Sequence, residues 1–170
     1  MERIKIEIGH SYQMDCESIV NVVDISVDNR GIMDKELVQA AGKQFEEGCD
    51  MLHGWKIGEP QMTKGYGLKA DYVIHVAAPI YYGKEKDKKN LKKCYQACLD
   101  FAMEKEIHSI SFPDHAAGSE YFPLKDAVSI ACDAVWEWLQ EHSEYEMEVI
   151  FCCDHKKGKK FRKYLEEKKE

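Results

Sequence analysis

The pattern of apolar and polar residues predicts five main strands. In residues 4–8, isoleucine alternates with Lys5 and Glu7, which is typical of a half-buried strand that ends at Gly9 and His10. Runs of mainly apolar, β-branched residues at 19–23, around Asn21, and at 72–77, around His75, are typical of strands that are buried on both faces. Further strands are predicted over residues 107–112 and 147–152, and a short strand is expected within residues 58–63, before a turn at residues 65–67.

Apolar residues spaced three and four apart predict the helices of the chain. The first helix runs from Asp34 to about Gly48, and its apolar face is formed by Met33, Leu37, Ala40, Ala41 and Phe45. The others cover residues 90–105, residues 123–142 and a C-terminal segment that contains Phe161, Tyr164 and Leu165. This alternation of strands and helices favours the α/β class, as one domain over residues 1–170 with a mixed, mostly parallel sheet covered on both faces.

Polar residues at the end of the first buried strand mark a candidate ligand site. Asn21 and Asp24 lie in or directly after this strand, and Asp34 follows at the start of a helix. Open α/β sheets bind their ligands in the crevice outside the carboxyl ends of the strands. The loops after Val23, Ala77 and Phe112 are therefore expected to face one crevice.

Composition and charge narrow the classes of partner. The chain has 170 residues with a net charge of −7, which gives non-specific nucleic-acid binding no global electrostatic support. Lysines cluster at residues 84–93 and 156–169, where acids are interleaved, and both clusters are interpreted as solvated helix faces. No apolar run approaches the length of a membrane span.

The seven cysteines are odd in number and lack the spacing of a disulfide scaffold. They are interpreted as reduced thiols of a cytoplasmic protein. The first residues enter directly into the alternating strand and do not resemble a signal peptide, in agreement with that location.

Five short motifs follow one another along the chain. They are similar to Ile-Val-Asn-Ala-Ala-Asn, Gly-Gly-Gly-Val-Asp, Gly-x-Ala-x-x-Thr, Ile-His-x-x-x-Pro and Phe-Pro-x-x-x-x-Gly, at residues 19–24, 30–34, 58–63, 74–79 and 112–118. Each motif alone is weak, but in this order the chain resembles the macro domain family, the ADP-ribose-binding module. The resemblance covers nearly the whole chain and implies a three-layer α/β/α sandwich.

The resemblance also implies a cleft that binds ADP-ribose or a related nucleotide-diphosphate sugar, without a cofactor. Enzymatic members of the family remove ADP-ribose from proteins or process related esters. The implied ligand-binding residues are His10, Asn21, Arg30, Gly31, Ala117, Gly118, Ser119, Tyr121 and Phe122. The implied catalytic residues are Asp34 and Asp24, through the placement of water and of the distal ribose.

Three departures from the family pattern concern this cleft. His10 stands where the family has an Asp that holds the adenine, and Asp24 replaces a second Asn. A carboxylate only accepts hydrogen bonds, so Asp24 adds negative charge where the family offers an amide. The glycine-rich loop keeps only Gly31, and the neighbouring Arg30 could contact phosphate directly.

Several candidate residues also have a purely structural interpretation. Asp34 could orient a catalytic water or cap its helix, and Asn21 could bond loop backbone instead of ligand. His75, inside an apolar strand, is interpreted as a hydrogen-bonded core residue. Asp114 and His115 could form an acid–base pair, although adjacent residues do not necessarily meet.

Two further groups contain residues that bind metals. Cys49 and His53 are four residues apart, and residues 152–155 read Cys-Cys-Asp-His. Neither group has the four-ligand spacing of a structural zinc site, so buried cysteine is the favoured interpretation and no metal is predicted.

Two functions remain open at this point. The first is ADP-ribose binding with hydrolysis of ADP-ribosyl esters, as an ADP-ribosyl hydrolase or ADP-ribose phosphoesterase, with an ADP-ribosylated protein as candidate partner. The second is a catalytically inactive module whose ligand has diverged. A reader of nucleic acid or poly(ADP-ribose) is poorly supported by the net charge of −7, and no membrane partner is expected.

Overall fold

The computed structural model describes residues 2–25, 34–114 and 122–170. Within them the strands and helices, in chain order, are β1 (Ile4–Ile8), β2 (Ser18–Val23), α1 (Lys35–Ala41), α2 (Lys43–Asp50), β3 (Gln61–Lys64), β4 (Tyr72–Ala77), α3 (Glu85–Glu104), β5 (Ser109–Pro113), α4 (Leu124–Glu141), β6 (Glu148–Cys153) and α5 (His155–Lys169). A short 3-10 turn, Ser11–Gln13, follows β1. None of the helices in these ranges is long and apolar enough to cross a membrane.

The strands form one mixed sheet in the order β1-β6-β5-β2-β4-β3. All neighbouring pairs are parallel except β3 and β4, which are antiparallel. The prediction of a mostly parallel sheet is therefore confirmed. Since β1, β6, β5, β2 and β4 run in the same direction, their carboxyl ends lie along one edge.

Consecutive residues of the central strands pack on opposite faces of the sheet. In β2, Val20 joins the larger apolar cluster, which includes residues of α3, α4 and α5, whereas Ile19 joins the cluster with α1 and α2. Ile74 and Val73 of β4 divide in the same way. A period of two along a strand buried on both faces produces the three-layer α/β/α sandwich that was predicted.

The prediction of one continuous helix from Asp34 to Gly48 is wrong, because the structure has two helices there. The helical segment is interrupted at Gly42, whose φ of 97° lies in a region that side chains rarely adopt, and α2 continues past Gly48 to Asp50. The change of direction lets Leu37 on α1 and Phe45 on α2 both reach the core, while Ala40, predicted on the apolar face, is exposed. Met33 lies outside the described residues.

Helix α3 begins at Glu85, five residues before the predicted start at residue 90. The first turn is fixed by Asp87, whose carboxylate accepts hydrogen bonds from the backbone N–H groups of Tyr82 (2.8 Å) and Lys84 (3.0 Å). These two bonds lower the pKa of Asp87. A polar first turn has no apolar period, so the hydrophobic pattern could not locate it.

The turn predicted at residues 65–67 is present and requires its first glycine. Strand β3 covers Gln61–Lys64, shifted from the predicted residues 58–63, and Gly65 N–H then donates to the carbonyl of Asp71 (2.8 Å). A Cβ atom on Gly65 would collide with the carbonyl oxygen of Ala70. Any other residue would force this backbone apart.

Candidate functional site

A cavity of about 490 Å³ lies at the carboxyl edge of the sheet. Its walls come from the ends of β1, β6, β5 and β2, from the turn after β1 and from the start of α1. The expected crevice is thus found at the ends of β2 and β5. The end of β4 at Ala77 does not line the cavity, and the ends of β1 and β6 contribute walls that the sequence reasoning missed. The volume suits a drug-sized or nucleotide-sized ligand.

Asn21, which lines the cavity from β2, is held by a buried polar chain. Its Nδ2 donates to Nδ1 of His75 (3.1 Å), and His75 Nε2 lies 2.9 Å from Thr63 Oγ1. Because an amide nitrogen only donates, Nδ1 of His75 is the acceptor and Nε2 carries the proton. Asn21 is therefore a positioned residue that reaches a cavity wall, and both its sequence interpretations remain compatible with this placement.

His75 is completely buried and stays neutral. Burial lowers the pKa of its imidazole from 6.5 to about 3. Its ring also packs near Phe45, with 5.8 Å between ring centroids. The interpretation of His75 as a hydrogen-bonded core residue is confirmed.

Asp34 lines the cavity at the start of α1 and also caps that helix. The N–H of Leu37 donates to Asp34 Oδ1 at 2.9 Å. A carboxylate can accept further bonds on its other oxygen, so the cap does not exhaust Asp34. Asp34 thus caps helix α1 and is also accessible from the cavity.

His10 lines the cavity beside Tyr12, with which it stacks. Their ring centroids are 5.1 Å apart and the planes are inclined by 17°. The Tyr12 hydroxyl donates to Glu36 Oε2 (3.2 Å), which connects the turn after β1 with α1. Burial, and to a smaller extent this bond, raises the pKa of Tyr12, so the hydroxyl remains a donor.

The thiols at the cavity wall are poor nucleophiles. Burial raises the pKa of Cys152 to about 12 and that of Cys153 to about 11, and both side chains are almost fully buried. Among the described residues no group of three or more His, Cys, Asp or Glu side chains is arranged to hold a metal ion. Neither the pair Cys49 and His53 nor residues 152–155 therefore belongs to such a group.

Among the residues that the structure describes, four with carboxylate side chains line the cavity: Asp34, Glu36, Asp114 and Asp154. Asp114 accepts a hydrogen-bonded ion pair from Lys157 at 3.1 Å, with both side chains partly exposed. Asp154 caps α5 by accepting from Lys157 N–H at 2.8 Å. A ligand with a diphosphate therefore needs cationic or N–H donors near these acids.

The remaining predicted site residues lie elsewhere or outside the described ranges. Asp24 is exposed directly after β2, and it is not among the cavity-lining residues. Phe122 is buried against Tyr81, with ring centroids 4.7 Å apart, and does not line the cavity. The residues outside the described ranges are Arg30, Gly31, His115, Ala117, Gly118, Ser119 and Tyr121.

Sequence reasoning missed Tyr12, Glu36 and Asp154 as cavity residues. Asp154 follows β6 just as Asp24 follows β2, so the rule of polar residues at strand ends would have found it. Tyr12 and Glu36 do not follow a strand end in this way. They form part of the cavity wall through a contact between two segments that are 24 residues apart in the sequence, which a local pattern does not reveal.

The chain matches the Macro domain family model over residues 20–131. A macro domain-containing protein of Mesorhizobium japonicum is 34% identical, over 90% of this chain and 87% of that protein. The chain therefore belongs to the macro domain family. The mouse ADP-ribose glycohydrolase MACROD2 is 32% identical over 89% of this chain, which spans 32% of that protein.

The fold agrees with solved macrodomains. The Trypanosoma brucei macrodomain, determined in complex with ADP-ribose, superposes with a TM-score of 0.82. It is 28% identical, and the match covers 96% of this chain and 69% of the other.

Proposed function

We propose that this chain binds ADP-ribose, or a related nucleotide-diphosphate sugar, in the cavity at the carboxyl edge of the sheet. The observation that supports this most directly is the cavity of about 490 Å³ that brings His10, Asn21 and Asp34 together. These three were singled out from the sequence, and a structurally similar macrodomain binds ADP-ribose. We also propose that residues 1–170 form a single domain.

The ligand would extend from the turn after β1 toward α1. His10 and its stacked neighbour Tyr12 would face the adenine, while Asn21 and Asp34 would approach the distal ribose. The diphosphate would lie between them, near Arg30, Gly31 and residues 117–119, which are assigned by the family resemblance. Asp24, Tyr121 and Phe122 complete the proposed set, with Phe122 acting through its packing on Tyr81.

Titration of the protein with ADP-ribose in a calorimeter is expected to give saturable heat with one site. The ligand should also raise the thermal midpoint, since a ligand at a hundredfold excess over its Kd stabilises the native state by about 2.7 kcal/mol. Ribose 5-phosphate serves as the control, because it lacks the base and the second phosphate. No heat and no shift at millimolar ADP-ribose would exclude the proposal.

We further propose hydrolysis of ADP-ribosyl esters on proteins. Water would attack the anomeric carbon of the distal ribose, and the bond from that carbon to the ester oxygen would break. The products are free ADP-ribose and the protein's carboxylic acid. Asp34 would orient the water through Oδ2, because Oδ1 already accepts the bond from Leu37 N–H.

Two substitutions of Asp34 separate its helix cap from this chemistry. Asp34→Ala should lose about 1 kcal/mol of stability, and Asp34→Ser should lose little, because a serine hydroxyl caps a helix nearly as well. Both variants should lose hydrolysis by about a hundredfold. The measurements are chemical unfolding and release of ADP-ribose from a modified protein. Full activity in Asp34→Ser would assign Asp34 to the cap alone.

A binding module without catalysis, and with a different ligand, is favoured by one observation. His10 lines the cavity where the family motif has an acid, and Glu36, Asp114 and Asp154 line it at positions that the five motifs do not specify. A thermal-shift comparison of nucleotides and phosphosugars tests this, and a clear preference for ADP-ribose would argue against it.

An ADP-ribosylated protein is the proposed macromolecular partner, both for the binding of ADP-ribose and for its hydrolytic release. We also propose a cytoplasmic location, which is supported by the seven cysteines. All of them are free and buried. A protein that keeps seven reduced thiols is suited to a reducing compartment.

A further inference from the structure

The N-terminal half of α5 concentrates positive charge on an acidic protein. Six of the eight residues at 156–163 are lysine or arginine, and none is acidic. Residues 155–170 carry eight cations and three acids, a net charge of +5, so the rest of the chain carries −12 of the total of −7. The interleaved acids of this cluster, Glu166 and Glu167, lie only in its C-terminal part, so residues 156–165 carry no acid of their own.

Four of these lysines form one exposed row. Lys156, Lys159, Lys160 and Lys163 are spaced three and four residues apart, and all are exposed; we call them the α5 lysine row. The opposite face of the helix is buried through Gly158, Phe161 and Leu165. The row is about 10 Å long at 1.5 Å per residue.

The row opposes the stability of its own helix. Like charges at these spacings repel one another, and cations near a helix N-terminus oppose the helix dipole. The first turn of α5 has no acidic residue, and only Asp154 caps it. Within the described residues, Lys163 has an exposed pairing at 4.0 Å with Glu167, and no ion pair is seen for Lys156, Lys159 or Lys160.

Helix α3 shows the contrasting arrangement. There Lys88 lies near both Glu85 and Asp126, at 3.5 and 3.7 Å, and Lys92 contacts Glu137 at 2.6 Å. Lys88 and Lys92 of α3 thus have acidic partners on their own or a neighbouring helix. An external anion would compensate the positive charge of the α5 lysine row, in the way that acidic side chains compensate the charge of Lys88 and Lys92.

We propose that the α5 lysine row binds an acidic segment of a partner protein. A membrane or a nucleic-acid duplex would bring its negative charge close to the rest of the protein, which carries a net charge of −12 and would repel it. A single extended peptide can contact a 10 Å row without this penalty. Single-stranded nucleic acid relies on stacking with exposed aromatic rings, and Tyr164 of α5 is half-buried and donates to Asp133 (2.9 Å).

The row begins two residues after Asp154, which lines the cavity. A peptide bound to α5 therefore passes the rim of the cavity, whatever ligand the cavity holds. Binding of the peptide and binding of a small ligand are separable measurements.

The test is fluorescence anisotropy with a labelled peptide rich in Glu and Asp. A peptide with Gln and Asn at the same positions, an oligothymidylate and vesicles of phosphatidylcholine and phosphatidylserine serve as alternative probes. The triple change Lys159→Glu, Lys160→Glu, Lys163→Glu should weaken binding of the acidic peptide by at least about tenfold. The matched control is Lys86→Glu, Lys89→Glu, Lys93→Glu on α3, which makes the same change in charge at exposed positions and should leave binding within about twofold.

Binding of the acidic peptide should also weaken as salt rises from about 50 to 200 mM. Equal loss in the α5 and α3 variants, retention of binding by the neutral peptide, or tighter binding of the oligothymidylate or the vesicles would each overturn the proposal.

Stability gives an independent readout. Changing Lys159, Lys160 and Lys163 to Gln should raise the thermal midpoint at low salt while it weakens peptide binding, because repulsion within the helix is relieved. A lower midpoint would assign the row to folding and contradict a binding role.

Discussion

Replacing Phe45 by alanine is expected to lower the free energy of unfolding by about 3–5 kcal/mol. Phe45 lies on α2, has no exposed surface, and packs in the cluster that contains Leu37 and Val73. Its removal leaves a void beneath the α1–α2 face of the sheet and takes away one neighbour of His75. Urea unfolding followed by circular dichroism measures the loss.

The control for Phe45→Ala is Phe101→Ala. Phe101 lies on α3 and is only partly buried, so the same truncation should cost less than half as much. Equal losses at the two positions would contradict the assignment of Phe45 to a tightly packed core.

Lowering the pH from 7.5 to 4.5 is expected to destabilise the fold by about 3 kcal/mol through His75 alone. The pKa of His75 is about 3 in the folded protein, whereas the unfolded chain has the ordinary value of 6.5. Between these values the unfolded chain binds one more proton, so stability rises with pH. Each unit below 6.5 therefore costs about 1.4 kcal/mol, and the loss is complete near pH 3.

The matched variant for this effect is His75→Gln. A glutamine can accept from Asn21 and donate to Thr63 as the neutral imidazole does, but it does not titrate. The difference in unfolding free energy between pH 7.5 and pH 4.5 should be about 3 kcal/mol smaller in the variant. Parallel pH profiles for the two proteins would show that His75 is protonated when folded.

The sheet and most of the helices could be predicted from local patterns. Strands β2 and β4 are rich in apolar residues because both faces are covered, and the predicted bounds match those of β4 and lie within one residue of those of β2. The break at Gly42 could not be predicted in this way, since Leu37, Ala41 and Phe45 also fit one continuous helix. A glycine within a helical pattern is compatible with either outcome.

The candidate site was only partly predictable. His10, Asn21 and Asp34 stand next to predicted strand ends or helix starts, and all three line the cavity. The wall formed by Tyr12 and Glu36 depends on a contact across the fold, which no local pattern contains. Phe122 ends the predicted loop after Phe112, but its apolar ring is more stable in the core against Tyr81 than in a polar cleft.

The parallel pairing of β1 with β6 sets the order in which the cavity can be built. Ile4 aligns with Val149 and Ile8 with Cys153, so partners in this ladder are 145 residues apart. At a ribosomal rate of about 5–20 residues per second, β1 waits roughly 7–30 s for its partner. During that time the isoleucines of β1 cannot pack in the sheet, because β6 is the neighbour of β1 in the strand order. The wall that carries Ile8 and Cys153 is thus the last to close, and a nascent chain can gain no stability from a cleft ligand before β6 has emerged.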